Sequence, residues 1–143
     1  MSDAVDVGER YDEAFNEHDL DARRAALTEN SELILPGGGR FTGPDQILQV
    51  TQGFWMAFPD GRIIREHHIG NEREAATEGR FVGTHTGPFP TPEGEVRASG
   101  NRVEFAYASI RRVENDRIIR ERLYFDQMEF LQQLGALPGS PTS

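Results

Sequence analysis

The sequence contains no cysteine and no lysine. Without cysteine there are no disulfides, thiolate nucleophiles or Cys-ligated zinc and iron–sulfur centres. Without lysine, Schiff-base chemistry is excluded, pyridoxal enzymes and lysine-type aldolases included. A phosphate-binding loop of the Walker type is excluded with it. No G-x-S-x-G occurs, which argues against a nucleophile-elbow hydrolase. No run approaches the roughly 20 apolar residues of a membrane-spanning helix, and the acidic start MSDAVDVGER does not resemble a secretory signal. Proton chemistry is therefore left to carboxylates, four histidines and three tyrosines.

The 143 residues fit one domain, and 15 arginines against 24 acidic residues give a net charge of −9. That balance argues against a nucleic-acid or anionic-membrane partner. A cytoplasmic location is the expectation.

Apolar positions first recur at helical spacing. Ala4, Val7, Tyr11, Ala14, Phe15 and His18 mark one face of a helix over about 3–17. Asp19 is placed to cap a second helix running through Leu27. The apolar run 32–35, stopped by Pro36 and three glycines, reads as a strand and turn. Gly43-Pro44-Asp45 opens a third helix, whose stripe of Ile47, Leu48, Thr51, Phe54, Trp55 and Phe58 is apolar and aromatic. Trp55 and Phe58 are placed to roof a cavity if this helix packs on a curved sheet.

From Gly61 the pattern turns to strands, over 62–69, 74–86 and 102–113, with a tight turn at Asn115-Asp116 before the last one. Helices first and antiparallel strands later give an α+β fold with helices on one face of the sheet. One domain is expected over 1–137, followed by a disordered tail over 138–143.

The stretch 118–135, IIRERLYFDQMEFLQQLG, begins with strand alternation and changes to helical spacing at Asp126. An aspartate at such a junction either caps the helix or faces a cavity. With Asn115-Asp116 as the turn, Glu114 pairs with Arg117, and opposite residues sum to 231. This count places Phe105, Tyr107, Ser109 and Arg111 on one face with Asp126, Tyr124, Arg122 and Arg120. Glu121 then falls on the apolar face with Ile119, Leu123 and Phe125. If that face lines a pocket, Glu121 is the buried carboxylate. A single bulge exchanges the two assignments.

His67 and His68 are adjacent, so on a strand they point to opposite faces and do not form a metal pair. No metal is expected. His85, in GTHTG, sits between glycines that allow close approach, and it reads equally as a rim histidine or a pocket residue.

FNEHDLDA at 15–22, TGPDQI at 42–47, FPDGR at 58–62, GTHTGPF at 83–89 and the closing FDQMEFLQQLG together resemble the SnoaL-like polyketide cyclases. These belong to the nuclear transport factor 2-like superfamily, which also holds the ketosteroid isomerases. The resemblance implies a cone-shaped α+β barrel of curved sheet closed by helices, with a central apolar cavity and homodimer formation. It implies cofactor-independent aldol-type cyclisation or isomerisation of a small apolar or aromatic carbonyl substrate by a carboxylate general acid/base. On that reading Asp126 is the favoured acid/base and Glu121 its reserve. His85 orients the substrate or polarises an oxygen. Tyr124, Arg122, Trp55, Phe58, Tyr11 and Phe15 are substrate contacts. The family's last strand commonly reads E-x-W-D-x-x-D, and the matching positions here are Arg120, Arg122, Leu123 and Asp126. Leucine thus replaces the earlier aspartate. The alternatives are a non-catalytic small-molecule binding module of the same fold and a protein-interaction domain with a closed cavity.

Overall fold

A computed structural model describes residues 3–136; the tail expected at 138–143 lies outside the described residues. Helix α1 (Ala4–Asn16) starts where the Asp3 carboxylate accepts the Asp6 N–H at 2.9 Å. Helix α2 (Leu20–Ala25) is capped in the same way by Asp19. Strands β1 (Leu27–Ile34) and β2 (Arg40–Thr42) follow, then helix α3 (Gly43–Ala57). After these come β3 (Arg62–Gly70), β4 (Glu74–Thr84), the short hairpin β5 (Phe89–Thr91) and β6 (Gly94–Val96), β7 (Arg102–Glu114), β8 (Arg117–Phe125) and helix α4 (Gln127–Gln133).

The main sheet has six strands in the order β2-β1-β8-β7-β4-β3. β1 runs parallel to β8 and the other neighbours are antiparallel, so the sheet is mixed. The sheet curves around α1 and α3, giving the α+β cone. Inside it, one apolar cluster joins α1 to β1 and α3 through Val7, Tyr11, Leu33 and Leu48. A second, aromatic cluster gathers Phe58, Phe81, Phe105 and Phe130 at the α4 end.

Three sequence expectations are corrected. Leu27 belongs to β1, not to α2, so the strand starts five residues before Glu32. Its alternation is masked because Thr28 N–H donates to Ser31 Oγ, whose own hydroxyl donates to Ile118 O across a register shift. β4 stops at Thr84, because the Thr86 and Gly87 N–H groups both turn to the carbonyl of Ala57.

The third correction decides the site. Asn115 and Asp116 both have positive φ, as a two-residue hairpin turn requires, and Glu114 pairs with Arg117. Val113 still faces Ile118, but Arg112 faces Arg120, leaving Ile119 as an extra residue in β8. Beyond this bulge opposite residues no longer sum to 231, and every later side chain of β8 changes face. Arg111 now lies opposite Glu121, and Tyr107 opposite Phe125.

Candidate functional site

The inner face of the sheet and the helices line a half-open cavity of about 90 Å³. Its apolar walls include Phe15 from α1, Phe54 from α3, Phe81 from β4, Phe105 from β7, and Leu123 and Phe125 from β8. Its polar end carries Asp12 of α1, Arg23 of α2, Thr51 of α3, Tyr107 and Arg111 of β7, and Glu121 of β8. The arrangement follows from the strand period: Phe105, Tyr107, Ser109 and Arg111 alternate inward along β7, and Glu121, Leu123 and Phe125 do so along β8.

Arg111 ties the polar end together. Its Nη2 lies 2.7 Å from Asp12 Oδ1 and 2.7 Å from Glu121 Oε2, while Nη1 donates to Asp12 Oδ2 at 3.1 Å. Nε donates to Glu121 Oε2 at 2.8 Å, so both contacts to Glu121 end on one oxygen. Burial opposes the charge on Arg111, but the Asp12 and Glu121 carboxylates outweigh it and hold its pKa above the usual arginine value. Arg65 Nε approaches Asp12 Oδ2 at 3.6 Å from the β3 side. Arg65 pairs with Gly79 of β4, where the strands are so close that a Cβ would sit 2.0 Å from Ile64 O. Burial, then the Asp12 charge, pushes the Tyr107 phenol far above its ordinary pKa and keeps it a neutral hydroxyl.

The structure places Glu121 and Phe15 in the cavity wall. Tyr11 is buried beneath the Arg23 guanidinium rather than lining the cavity, and desolvation raises its pKa. Phe58 is wholly buried in the aromatic cluster behind the wall. Trp55 donates its indole N–H to Phe15 O at 3.1 Å and stacks on His18 at 4.7 Å between ring centroids. His85 is fully buried beside Phe58, outside the cavity lining, and its Nδ1 accepts the Ser99 N–H at 3.1 Å.

Tyr124, Arg122 and Asp126 are exposed, and Tyr124 and Arg122 lie on the outer face of the sheet after the bulge at Ile119. Asp126 caps α4, its Oδ1 accepting the Glu129 N–H at 3.1 Å. Among the described residues no His, Cys, Asp or Glu group is arranged to hold a metal ion, and His67 and His68 are both exposed.

A model of the SnoaL-like polyketide cyclases matches residues 5–134. The chain belongs to that family. A proposed SnoaL-like polyketide cyclase from Jannaschia sp. CCS1 superimposes with a TM-score of 0.82 at 19% identity, covering 94% of this chain and 92% of that one. IdmH, a proposed polyketide cyclase from Streptomyces antibioticus, gives 0.76 at 25% identity, over 92% and 97% of the two chains. AclR, a proposed hydroxylase from Streptomyces galilaeus, gives 0.78 at 19% identity, over 96% and 87%. Among curated proteins nothing matches this sequence.

Three features of this SnoaL-like site were missed or misplaced by sequence reasoning. Asp12 had a signal: it lies on the buried stripe of α1 with Gly8, Tyr11 and Phe15, where a lone carboxylate needs a partner. Arg111 was grouped with Tyr107 but not with Glu121, because the bulge was not legible. Arg23 had no signal, since an arginine in the last turn of a short helix reads as a solvated cation.

Proposed function

We propose that this SnoaL-like protein is a cofactor-independent enzyme that uses Glu121 as a carboxylate acid/base on a small, apolar carbonyl substrate. The observation that carries this reading is the position of Glu121. It is a mostly buried carboxylate at the polar end of an otherwise aromatic cavity, with Oε2 held by Arg111. In this reading the second oxygen, Oε1, takes a proton from a carbon next to a substrate carbonyl. The resulting enolate carbon attacks a second carbonyl of the same molecule, forming one C–C bond. The new alkoxide then recovers the proton from Glu121, so the step is a net isomerisation. Return of the proton to a different carbon would give a double-bond shift instead. Preorganisation by Arg111 fixes the carboxylate before substrate arrives, which is where such catalysts gain most.

The test is deuterium exchange at the α-carbons of 2-tetralone in D₂O, followed by proton NMR. Wild-type protein should accelerate the exchange over buffer. Glu121→Gln should lose about 10²–10⁴-fold of that acceleration, and Asp126→Asn should keep it. Retention of the acceleration by a folded Glu121→Gln would overturn the assignment, and loss by Asp126→Asn would move it to Asp126.

One observation favours a second reading, a binding module without turnover. Both cavity carboxylates already form ion pairs with Arg111. On that reading 2-tetralone binds but neither exchanges nor changes.

We also propose that the protein forms a homodimer. Ile110 and Tyr124, 47% exposed each, provide apolar area on the outer sheet face. Sedimentation equilibrium giving a monomer at micromolar concentration would exclude this.

A further inference from the structure

From the charges around the cavity we infer that its ligand carries an anionic oxygen group, a carboxylate on a flat aromatic body, and that Arg23 is the residue that selects it. The inference rests on the cavity being the ligand site, as proposed above, but not on Glu121 being a base.

Arg23 is only 7% exposed, yet it lines the cavity. Its Nη1 donates to Tyr11 O at 3.2 Å and its Nη2 to Thr51 Oγ1 at 3.0 Å. Both acceptors are neutral. The guanidinium carbon stands 3.6 Å from the centroid of the Tyr11 ring and 5.4 Å from that of Phe15. These π-faces offset part of the cost of burying the charge. Among the described residues no carboxylate forms an ion pair with Arg23.

The neighbouring carboxylates are already committed. Asp12 and Glu121 share Arg111, and Arg65 stands against Asp12 on its other side. Three guanidinium groups (Arg23, Arg65, Arg111) therefore face two carboxylates, and Arg23 carries the surplus positive charge. Hydrogen-bond donors are in surplus as well. Arg23 Nε, the Tyr107 hydroxyl, Ser109 Oγ, His85 Nε2 and both terminal nitrogens of Arg65 are buried without a partner among the described residues, and of these residues Arg23 and Tyr107 line the cavity. Buried charges are ordinarily paired, and buried donors ordinarily satisfied. A ligand carboxylate supplies the missing charge and the missing acceptors together, while its rings lie against the Phe15, Phe54 and Phe105 walls. A neutral ketone of the same shape supplies only a carbonyl oxygen.

The experiment compares 2-naphthoate with methyl 2-naphthyl ketone, nearly equal in shape, by NMR titration at pH 7.5. Wild-type protein should bind the carboxylate about tenfold or more tightly, the range of a hydrogen bond to a charged group. Arg23→Met should lose the preference, binding the two compounds about equally, whereas Arg23→Lys should keep part of it. If Arg23 only staples α2 to α1 and α3, the substitution weakens both ligands alike, and the inference fails. Equal wild-type affinities, or binding of neither compound, overturn it without any variant, so a poorly folding Arg23→Met leaves the test intact. Glu121→Gln should retain the preference, so failure of the acid/base reading and failure of this one are separately visible.

Discussion

Asp12 of α1 and Glu121 of β8 share one guanidinium: Arg111 Nη2 is 2.7 Å from a carboxylate oxygen of each. The cluster ties the first helix to the last strand through side chains that are 4% exposed at Arg111, 3% at Asp12 and 11% at Glu121. Replacing Arg111 with Met leaves two carboxylates buried near each other without their cation. The loss should be about 3–5 kcal/mol of folding stability, the usual cost of removing one partner of a buried pair. Urea denaturation measures it. Removing the Glu121 charge as well, as Arg111→Met with Glu121→Gln, should recover a substantial part of that loss, because the carboxylate that remains, Asp12, still has Arg65 at 3.6 Å.

Asp126 gives the contrasting case. It is exposed and accepts one backbone N–H at the start of α4. That helix seats Phe130 and Leu134, each nearly fully buried, against the aromatic cluster. Asp126→Ala should therefore cost about 1 kcal/mol, the typical value of an N-cap. The drop appears in urea midpoints, while ligand binding at the cavity is unchanged.

These two carboxylates show how far the sequence was readable. Helical stripes in α1 and α3, the Asn115-Asp116 turn and the change of period at Asp126 are local signals, and they gave the long elements in the right order, while the three-residue strands β2, β5 and β6 went unread. The face on which Glu121 lies depends on one extra residue at Ile119, and no composition marks that bulge. Ile118 is buried in the core while Ile119 is the unpaired residue, yet both read as strand formers. Asp12 was findable as a charge on an apolar stripe. Arg23 was not, because its burial is created by Tyr11 and Thr51, which come from other elements.

Gly79 of β4 pairs with Arg65 of β3 next to a register shift in that pair of strands. A Cβ at this position would lie 2.0 Å from the carbonyl oxygen of Ile64, a backbone atom that cannot move alone. Gly79→Ala should destabilise by about 3 kcal/mol or more, at the upper end of overpacking. It should also pull Arg65 away from Asp12. Reduced thermal stability, with weaker 2-naphthoate binding in the folded fraction, is the expected result.

His85 makes stability depend on pH. Burial is the main cause of its lowered pKa, against a smaller opposing pull from the Gly87 backbone. Its Nδ1 accepts the Ser99 N–H, which protonation would break. In the unfolded chain the imidazole has its ordinary pKa, about 6.5. As pH falls below that value the unfolded state binds the proton first, so stability drops through the window between the ordinary and the lowered pKa. Above about 6.5 the contribution is complete. His85→Asn, whose amide oxygen offers an acceptor near the Nδ1 position, should flatten this part of the profile. Urea midpoints from pH 7.5 to 5 would show the slope in wild type and its loss in the variant.

Leu123 occupies the position where the SnoaL-like pattern commonly has its earlier aspartate, and here it lines the cavity. Glu121 lies two residues before it on the same face of β8, about 7 Å along the strand at the usual rise. Glu121 stands opposite Arg111, and Leu123 takes the more apolar inward position. If a carboxylate on this face is what the chemistry requires, its exact rung matters less than its presence. Leu123→Asp in a Glu121→Gln background should then restore part of the 2-tetralone exchange that Glu121→Gln loses. Its optimum should move to higher pH, because the introduced carboxylate would stand among Phe81, Phe105 and Phe125 with its ionisation opposed by desolvation.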